Sequence, residues 1–370
     1  MAFSIKRVGY RDFRNTEELV IEPGPRLTVL VGPNAAGKTN CVEGIQILTA
    51  GGSFRHVPPA DMIRKGAERA QLRMHVESDK RMLDLAYDIF QTKKLLSING
   101  KRRPNGEGRG ILPSILFYPD ELMVVKGGAA DRRAMMDDFG VQMNASYAKV
   151  ISDYRRALRQ RNMLYKEAAR TGSGVDRTML DAWTESLVAA GTALYRYRLS
   201  LVMRLAPHVA RIYGELGAGE EAQMGYESLW FTGREPGENP GRAEVEEQLR
   251  SALERVRAEE ARRCQTLAGP HLDDVAFSIA GLPARNFGSQ GQQRSLVLAV
   301  KLAQVEVVHE MQAQYPVFLL DDVMSELDSN RRARLFDLVQ GGMQTVVTTT
   351  NLEYFRPEEL VEARVIHLGE

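Results

Sequence analysis

The sequence predicts an α/β fold in which a glycine-rich loop and a distant pair of aspartates belong to one sheet-based domain, interrupted by a helical insertion. Three observations support this prediction. Near its start the chain reads strand, glycine-rich loop, helix; far downstream a second apolar strand ends in two adjacent aspartates; and the stretch between them has long runs of helical periodicity. Strands and helices in this order are typical of a sheet with helices packed on its faces.

The first element is a strand that runs directly into a glycine-rich loop. Residues 27–31 are an apolar β-type run, and residues 32–39 then read G-P-N-A-A-G-K-T before apolar residues recur at helical spacing. The glycines allow backbone N–H groups to point at a phosphate, while Lys38 reaches the β- and γ-phosphates and the Thr39 hydroxyl ligates Mg²⁺. A glycine turn with a purely structural role would need neither side chain. The predicted nucleotide-binding residues are Gly32, Pro33, Asn34, Ala35, Ala36, Gly37, Lys38, Thr39 and Asn40.

The second strand supplies the carboxylates that a nucleotide-hydrolysing site also needs. Residues 317–320 are apolar, and Asp321 and Asp322 follow directly. We expect Asp321 to join Thr39 in holding Mg²⁺, and Asp322 to polarise the attacking water as a catalytic residue alongside Lys38. A solvated turn explains one carboxylate at the end of a strand, but not two directly after four apolar residues.

Composition limits the classes of protein that the chain fits. Of its 370 residues 44% are hydrophobic and 26% charged, as in globular proteins, and 49 Lys+Arg nearly balance 48 Asp+Glu. A polyanionic partner would therefore have to bind a local basic patch. We find no apolar run with the length of a signal peptide or a membrane span, so we expect a cytoplasmic protein without a membrane partner. Cys41 and Cys264 are far apart and are predicted to have no functional role.

A polar loop before the second strand extends the predicted site. Residues 286–304 read NFGSQGQQRSLVLAVKLAQ, a short polar loop that opens a helix without a catalytic base or a metal ligand. The order of the motifs resembles the ABC-type ATPase head, in which a Ser-Gly-Gly-Gln signature precedes the aspartate strand and a Ser-Glu-Leu-Asp segment, the D-loop, follows it. Here the signature is residues 289–292, with Gln290 in place of a glycine, and the D-loop is residues 325–328.

The resemblance implies that the signature acts between two copies of the chain. In such heads the loop binds the γ-phosphate of an ATP held by the other protomer, through the serine hydroxyl, backbone N–H groups and the start of its helix. The resemblance also implies a mixed sheet flanked by helices, ATP and Mg²⁺ as cofactors, and an ATP-dependent homodimer. Without the other motifs, Ser289 would be interpreted as an ordinary helix N-cap. The residues assigned to ATP in this way are Ser289, Gln290, Gly291, Gln292 and Asp328.

Further segments resemble the RecF family among the ABC-type heads. These segments are GYRDFRN at 9–15, PDELMVVKGGAADRRAMMD at 119–137, GPHLDD at 269–274 and LLDDVMSELDSNRRARL at 319–335. The chain departs from the family's pattern at Ala129, where proline is usual, at Met135, where an aromatic residue is usual, and at Leu272, where arginine is expected. We identify no Q-loop glutamine. Transporter ATPase subunits place the signature earlier and usually carry a histidine after the next strand, and SMC proteins insert hundreds of heptad residues.

The stretch between the two parts of the head has helical periodicity. We predict a discontinuous head over residues 1–131 and 264–370, and an all-α arm over residues 132–263. Apolar stripes lie on both sides of the turn at 171–174, which predicts two long antiparallel helices, and a third helix follows a break at 231–242. The aromatic residues on these stripes are expected in the core.

Arginines cluster on the predicted arm helices. On the sequence alone such charge runs are more often a solvated helix face than a nucleic-acid site. The RecF resemblance reverses this preference, because it implies double-stranded DNA bound across the ATP-closed dimer and a partnership with RecR and RecO in placing RecA on gapped DNA. The predicted DNA-contacting residues are Arg155, Arg156, Arg159, Arg196 and Arg198.

Together the motifs and the resemblance predict an ATP-gated DNA clamp of recombinational repair with a weak, DNA-stimulated ATPase. ATP joins two heads, the dimer holds duplex DNA near gaps, and slow hydrolysis releases it. The alternative is an ATPase subunit of a membrane transporter, which the late signature and the missing histidine disfavour. A nuclease with the same head is disfavoured because the sequence offers no acidic or histidine cluster outside the ATP site. Stimulation of hydrolysis by DNA or by a membrane partner distinguishes the first two hypotheses.

Overall fold

The structure, a computed structural model, describes residues 3–216, 219–233, 238–339 and 342–369. In chain order the strands are β1 (Ser4–Phe13), β2 (Thr16–Ile21), β3 (Leu27–Val31), β4 (Ala70–Ser78), β5 (Arg81–Ile89), β6 (Lys94–Ile98), β7 (Lys101–Arg103), β8 (Ser114–Phe117), β9 (Ala222–Glu227), β10 (Asp274–Ile279), β11 (Leu282–Pro283), β12 (Val317–Asp321), β13 (Thr345–Thr349) and β14 (Arg364–His367). The helices are α1 (Lys38–Ala50), α2 (Met123–Lys126), α3 (Ala129–Met143), α4 (Ala145–Thr171), α5 (Arg177–Glu215), α6 (Arg242–Arg263), α7 (Ala284–Phe287), α8 (Gln290–Gln312), α9 (Ser329–Val339) and α10 (Pro357–Val361).

The chain forms two compact units. The first, here called the head unit, comprises Met1–Leu122, Ile212–Gly219 and Gln290–Glu370. The second, the arm unit, comprises Met123–Arg211 and Glu220–Ser289. The sequence predicts domains with other bounds, a head over residues 1–131 and 264–370 and an arm over residues 132–263. This division into domains stays a prediction.

Helix α1 lies between the two sheets of the head unit. One sheet is antiparallel, in the order β2-β1-β4-β5-β6-β7, and the other is parallel, in the order β14-β3-β13-β12-β8. Helix α1 contacts β12 and β13 on one side and β1 and β4 on the other. The approach to β1 requires a glycine, because a Cβ on Gly44 would lie 2.3 Å from Cε1 of Tyr10. The same tyrosine donates a hydrogen bond of 2.8 Å to the Cys41 carbonyl.

The parallel sheet brings the two predicted nucleotide motifs to one edge. Strands β3 and β12 are fully buried, as expected for apolar strands covered on both faces, and β13 lies between them. The carboxyl ends of parallel strands meet at the same edge of a sheet, where α/β folds bind ligands. The loop after β3 therefore lies close to Asp321, the last residue of β12, and to Asp322, which follows it, although the two stretches are far apart in sequence.

The arm unit contains the helices that the sequence predicts. Helix α4 ends at Gly172, whose φ of 68° is left-handed, and α5 begins a few residues later. Arg161 of α4 donates to the Thr184 hydroxyl of α5 at 3.0 Å, and Asn144, the N-cap of α4, reaches Tyr197 of α5. These pairs occur in opposite order along the two helices, so the predicted antiparallel arrangement is confirmed, and α6 is the predicted third helix.

The insertion also contains a strand that the all-helical prediction did not include. Strand β9 alternates buried Ala222, Met224 and Tyr226 with residues that are exposed or half-buried, and it pairs antiparallel with β10. This period of two is the mark of a half-buried strand, but six residues are too few to stand out beside helices several times longer. None of the described helices combines the length and the apolar character that crossing a membrane requires.

Candidate nucleotide-binding site

The loop after β3 has the backbone geometry of an anion-binding turn. Ala35 and Gly37 have φ of 67° and 92°, and α1 begins directly after Gly37. A Cβ on Gly32 would lie 2.3 Å from the Leu368 carbonyl oxygen, so only glycine is accommodated there. A turn of this kind at the start of a helix directs backbone N–H groups and the positive end of the helix dipole toward one point, which suits a phosphate.

Lys38 places a positive charge inside this loop. Its Nζ donates to the carbonyl oxygens of Gly32 at 2.8 Å and Pro33 at 2.9 Å, and the residue is 7% exposed. No carboxylate in the described residues forms an ion pair with it, so its charge is available to an anionic ligand. Asn15, in the turn between β1 and β2, supports the loop by donating to the Ala35 carbonyl at 3.2 Å and accepting from Asn40 at 2.6 Å.

Asp321, at the end of β12, lies beside the first turn of α1. Its Oδ1 accepts hydrogen bonds from the Thr39 hydroxyl at 3.0 Å and from the Thr348 hydroxyl of β13 at 2.8 Å. Asp321 is 4% exposed, and this burial raises the pKa of its carboxyl above the usual value, while the two threonine hydroxyls oppose the rise. The Thr39–Asp321 pair that the sequence predicts as a magnesium site is thus formed by direct contact.

The donor set matches the preferences of Mg²⁺. This ion takes oxygen ligands and is usually held by one or two protein groups, with waters and substrate phosphates completing the shell. Thr39 supplies a hydroxyl and Asp321 a carboxylate, which is such a set. In the described part of the chain no three His, Cys, Asp or Glu side chains cluster in a way that could hold a metal. A magnesium ion at Thr39 and Asp321 would therefore depend on nucleotide phosphates for further ligands.

Asp322 differs from Asp321 in its exposure to solvent and in its backbone conformation. It is exposed to solvent and has a left-handed φ of 53°, which is uncommon for a residue with a side chain. Its N–H donates to the Thr348 hydroxyl oxygen at 2.9 Å, so one threonine contacts both aspartates. The structure therefore buries one carboxylate and exposes the next, while the roles predicted for Asp321 and Asp322 stay predictions.

A buried ion-pair cluster beside the loop was missed in the sequence. Glu43 of α1 is fully buried and accepts from Arg14 at 2.5 and 3.0 Å, from Arg55 at 3.1 Å and from Ser53 at 2.5 Å. Arg55 also donates to the Asn40 side chain at 3.2 Å, and its charge opposes the rise that burial causes in the pKa of Asp321. Arg55 belongs to an irregular segment whose sequence carries no recognisable motif, so only the fold shows its place near the nucleotide loop.

The start of α8 is tied to the D-loop within the head unit. Arg331 donates to the Gly291 carbonyl at 3.2 Å and to the Ser295 hydroxyl at 2.8 Å, and it pairs with Asp328 at 2.7 Å. Arg294 of α8 adds an ion pair of 2.9 Å with Glu326. Two arginines that sequence reasoning did not single out therefore connect the two motifs that are predicted to meet the partner's nucleotide.

The signature residues themselves lie where the arm unit ends and the head unit resumes. Ser289 is the last residue of the arm unit, and Gln290, Gly291 and Gln292 form the first turn of α8. Asp328 precedes α9, and its carboxylate accepts from the Arg331 N–H at 2.9 Å, as an N-cap does. Their assignment to ATP concerns a second copy of the chain and stays a prediction.

The arginines predicted to contact DNA fall into two groups. Arg155, Arg156 and Arg159 are exposed on α4; Arg155 lies 3.5 Å from Asp137, and Arg156 lies 5.7 Å above the Trp183 ring. Arg196 of α5 is half-buried, and its Nε has no hydrogen-bond partner in the described residues.

The prediction for Arg198 is wrong. Arg198 is 3% exposed and donates to both oxygens of Asp137, at 2.9 and 3.0 Å, and to the Pro270 carbonyl at 2.6 Å. A guanidinium with these partners is part of the core and is not available to a phosphate.

Comparison with known proteins gives matches along almost the whole chain. Residues 4–364 match the family model described as the RecF/RecN/SMC N terminal domain. The chain is 35% identical to the DNA replication and repair protein RecF of Desulforamulus reducens, covering 94% of this chain and 92% of that protein. It is 38% identical to the protein of the same name from Moorella thermoacetica, covering 95% of this chain and 91% of that protein.

A solved structure gives the same result for the fold. The structure is similar, with a TM-score of 0.86 and 26% identity, to that of the recombination mediator protein RecF-ATP in the RecFOR pathway, covering 96% of this chain and 94% of that one. The predicted fold class, a P-loop ATPase head of the ABC type with sheets flanked by helices, is confirmed.

Proposed function

Because this chain belongs to the RecF family of DNA replication and repair proteins, whose heads bind ATP and are of the ABC/SMC ATPase type, we propose that it is an ATP-gated DNA clamp of recombinational repair. The observation that carries the proposal is the contact of Thr39 with Asp321 beside the Lys38 loop. This contact joins a phosphate-binding element and a metal-binding carboxylate that are 282 residues apart in sequence.

The residues of the site divide the work of ATP hydrolysis among them. The loop N–H groups and Lys38 bind the β- and γ-phosphates, and Thr39 and Asp321 hold Mg²⁺, which neutralises phosphate charge when bound. Asp322 accepts a hydrogen bond from the attacking water and so orients it toward the γ-phosphate. An aspartate is one methylene shorter than the glutamate of most ABC-type heads, so we expect slow turnover.

Closure requires a second copy of the chain. Ser289 and the first turn of α8 bind the γ-phosphate held by the partner, so the competent site exists only in the dimer. Arg331 and Arg294 link this turn to Asp328 and Glu326, so that the signature and the D-loop move as one piece. Hydrolysis removes the γ-phosphate that both copies bind, and the dimer opens.

The closed dimer holds duplex DNA, chiefly through phosphates, and DNA stimulates its ATPase. Arg155, Arg156 and Arg159 are the arm cations best placed for this, because they are exposed on one helix. The name of the solved relative refers to the RecFOR pathway, and we extend that association to this chain: RecR is the direct partner, with RecO and RecA in the same cytoplasmic pathway.

The proposal is tested by DNA binding with and without ATP. Wild-type protein with ATP and Mg²⁺ is expected to bind a short duplex and to hydrolyse ATP faster when DNA is present. Lys38→Met removes the charge that neutralises phosphate and should abolish the ATP-dependent part of DNA binding. Lys65→Met, at an exposed position outside the site, is the control and should behave as the wild type. Full ATP-dependent DNA binding by Lys38→Met would contradict the proposal.

A further inference from the structure

The antiparallel sheet of the head unit has an outer face that the site described above does not use. A trough with a volume of about 910 Å³ runs across this face. Four exposed arginines line it: Arg7, Arg11, Arg69 and Arg73. In the described part of the chain none of the four forms an ion pair or a side-chain hydrogen bond, so four cations share one surface without a counter-charge in direct contact.

The arginines form a regular ladder along two adjacent strands. In the register of β1 and β4, Arg11 lies opposite Gln71, Arg73 opposite Gly9, and Arg7 opposite His75. Arg69 precedes Gln71 by two residues on the same face. Every second residue along the strands therefore brings one arginine to this face, in the order Arg69, which directly precedes β4, Arg11 of β1, Arg73 of β4 and Arg7 of β1. Two residues of a strand span about 7 Å, because a strand rises about 3.4 Å per residue.

Small residues keep the middle of the trough open. Gly9, Arg73, Ala86 and Ser97 follow one another across four strands, so the row that crosses the ladder has three short side chains. A Cβ built on Gly9 would meet nothing within 4 Å. The aromatic residues nearby, Tyr10 and Tyr87, are 2% and 1% exposed and point into the core.

The carboxylates of this face lie on both sides of the ladder and are mostly paired. Asp88 of β5 accepts from Arg102 at 3.0 Å and from Gln71 at 2.7 Å. His75 contacts Asp84 at 2.8 Å and Glu77 at 3.1 Å, and these two contacts raise the pKa of the histidine. Glu18 of β2 lies opposite Arg11 in the register. In the described residues Glu18 is the trough carboxylate without such a contact, so the four arginines of the ladder still outnumber it.

We propose that this arginine ladder contacts successive phosphates along one strand of duplex DNA. A step of about 7 Å is close to the separation of neighbouring phosphates on a duplex strand, and guanidinium groups are suited to phosphate oxygens. Proteins that bind single strands usually stack bases on exposed aromatic rings. Among the described residues no exposed aromatic ring lines this trough, which favours a duplex, whose bases are already paired with each other, over a single strand. Contacts of this kind position DNA without reading its sequence.

The inference deepens the proposed function and rests on it, since it names head residues that would hold the DNA of the clamp. The test compares Arg11→Glu/Arg73→Glu with Arg81→Glu/Arg103→Glu, which makes the same charge change on the same sheet. Strand alternation turns Arg81 and Arg103 away from the trough. Duplex binding is measured over a range of salt concentrations with ATP and Mg²⁺, and ATP binding without DNA reports that each variant is folded.

The ladder variant should lose affinity for all duplex sequences alike. The slope of log affinity against log salt concentration should shrink by about 1.8, since each lost phosphate contact removes about 0.9. The control variant should keep the wild-type slope. An unchanged slope in the ladder variant, while the wild type binds duplex in an ATP-dependent way, would overturn this inference and leave the proposed function intact; a wild type that binds no DNA would overturn both.

Two further probes separate DNA from other anionic partners. A single-stranded oligonucleotide of the same length should bind the wild type more weakly and show less loss in the ladder variant than the duplex does. Poly-L-glutamate should compete only weakly for the duplex. A ladder variant that loses poly-L-glutamate or single-strand binding but keeps duplex binding would show that the face serves an acidic protein segment or a single strand, and would overturn the proposal.

Discussion

Two buried aspartates, Asp321 in the head unit and Asp273 in the arm unit, have similar burial but different surroundings. They are 4% and 1% exposed, and burial raises the pKa of both, to about 6 for Asp273. Both described hydrogen bonds to Asp321 reach Oδ1 and come from threonine hydroxyls. Asp273 accepts from the Tyr226 hydroxyl on one oxygen, at 2.7 Å, and from the Trp230 indole on the other, at 2.8 Å.

The partners of a buried carboxylate, rather than its burial, indicate its role. The partners of Asp321 are small and include Thr39 at the start of the phosphate loop, so a cation and a phosphate can approach. The partners of Asp273 are large aromatic side chains that close around it. The ring of Tyr195 packs against both partners, with its centroid 5.0 Å from that of Trp230 and 5.4 Å from that of Tyr226. We therefore assign Asp321 to the chemistry and Asp273 to the packing of the arm unit.

The largest expected effect is that of Asp321→Asn on ATP hydrolysis. The amide is a weaker magnesium ligand, and loss of the metal's stabilisation of developing charge amounts to several kcal/mol, or on the order of a hundredfold or more in rate. Asp273→Asn is the matched control and should retain hydrolysis. Steady-state ATPase assays check both variants. Equal losses of activity in the two variants would contradict the assignment of Asp321 to the chemistry and of Asp273 to the packing of the arm unit.

Asp322→Asn tests whether the two adjacent aspartates of the head unit have different roles. Because Asp322 is exposed and makes its described contact through the backbone, its amide variant should still bind ATP and dimerise. Hydrolysis should fall by about 10²-fold, the lower end of the usual contribution of a general base. Nucleotide titration and single-turnover hydrolysis measure the two properties separately. Loss of ATP binding in this variant would show that the roles of Asp321 and Asp322 are exchanged.

The raised pKa of Asp273 predicts a pH dependence of stability. Since the folded pKa of about 6 lies above the ordinary aspartate pKa of 3.8, the folded protein binds the extra proton more tightly, and stability should fall as pH rises from about 4 to about 6. The shift of roughly two units corresponds to about 3 kcal/mol. Asp273→Asn should remove this part of the pH dependence in denaturant unfolding monitored across that range. If the stability of the variant falls with pH as steeply as that of the wild type, this pH dependence does not come from Asp273.

The smallest effect is expected at Thr348, which contacts both aspartates of the head unit. Thr348→Val keeps the shape and removes the hydroxyl, so Asp321 loses one hydrogen bond at a cost of about 1–3 kcal/mol. ATP affinity with Mg²⁺ should weaken moderately and hydrolysis should slow. Thr348→Ser keeps the hydroxyl and is expected to remain near wild type in both assays. A valine variant indistinguishable from the serine variant would show that the hydroxyl does not support Asp321.

The sequence predicts the nucleotide site well because its motifs depend on local geometry. Gly32, Gly37 and Lys38 are required by a turn that closes within a few residues, and Asp321 follows a strand whose burial is visible in its composition. These requirements act over short stretches, so spacing reveals them. The pairing of the two stretches follows from the rule that parallel strands end at one edge.

The rest of the site could not be predicted because it depends on contacts between distant residues. No spacing rule assigns a role to Thr348 or to Arg331, and they matter because β13 lies beside β12 and α9 lies near the start of α8. The error at Arg198 has the same origin. Arg196 and Arg198 look alike in the sequence, but only Arg198 meets Asp137, a partner 61 residues away.

We expect Ser289 to act on the nucleotide held by a second copy of the chain. Sedimentation with and without ATP and Mg²⁺ measures this dependence on a second copy. Wild-type protein should dimerise on ATP, and its specific ATPase activity should rise with protein concentration, because the competent site is populated by mass action. Ser289→Arg should bind ATP as a monomer with near wild-type affinity but remain monomeric, while Ser186→Arg, an exposed control on α5, should dimerise. A Ser289→Arg variant that dimerises on ATP would contradict the account.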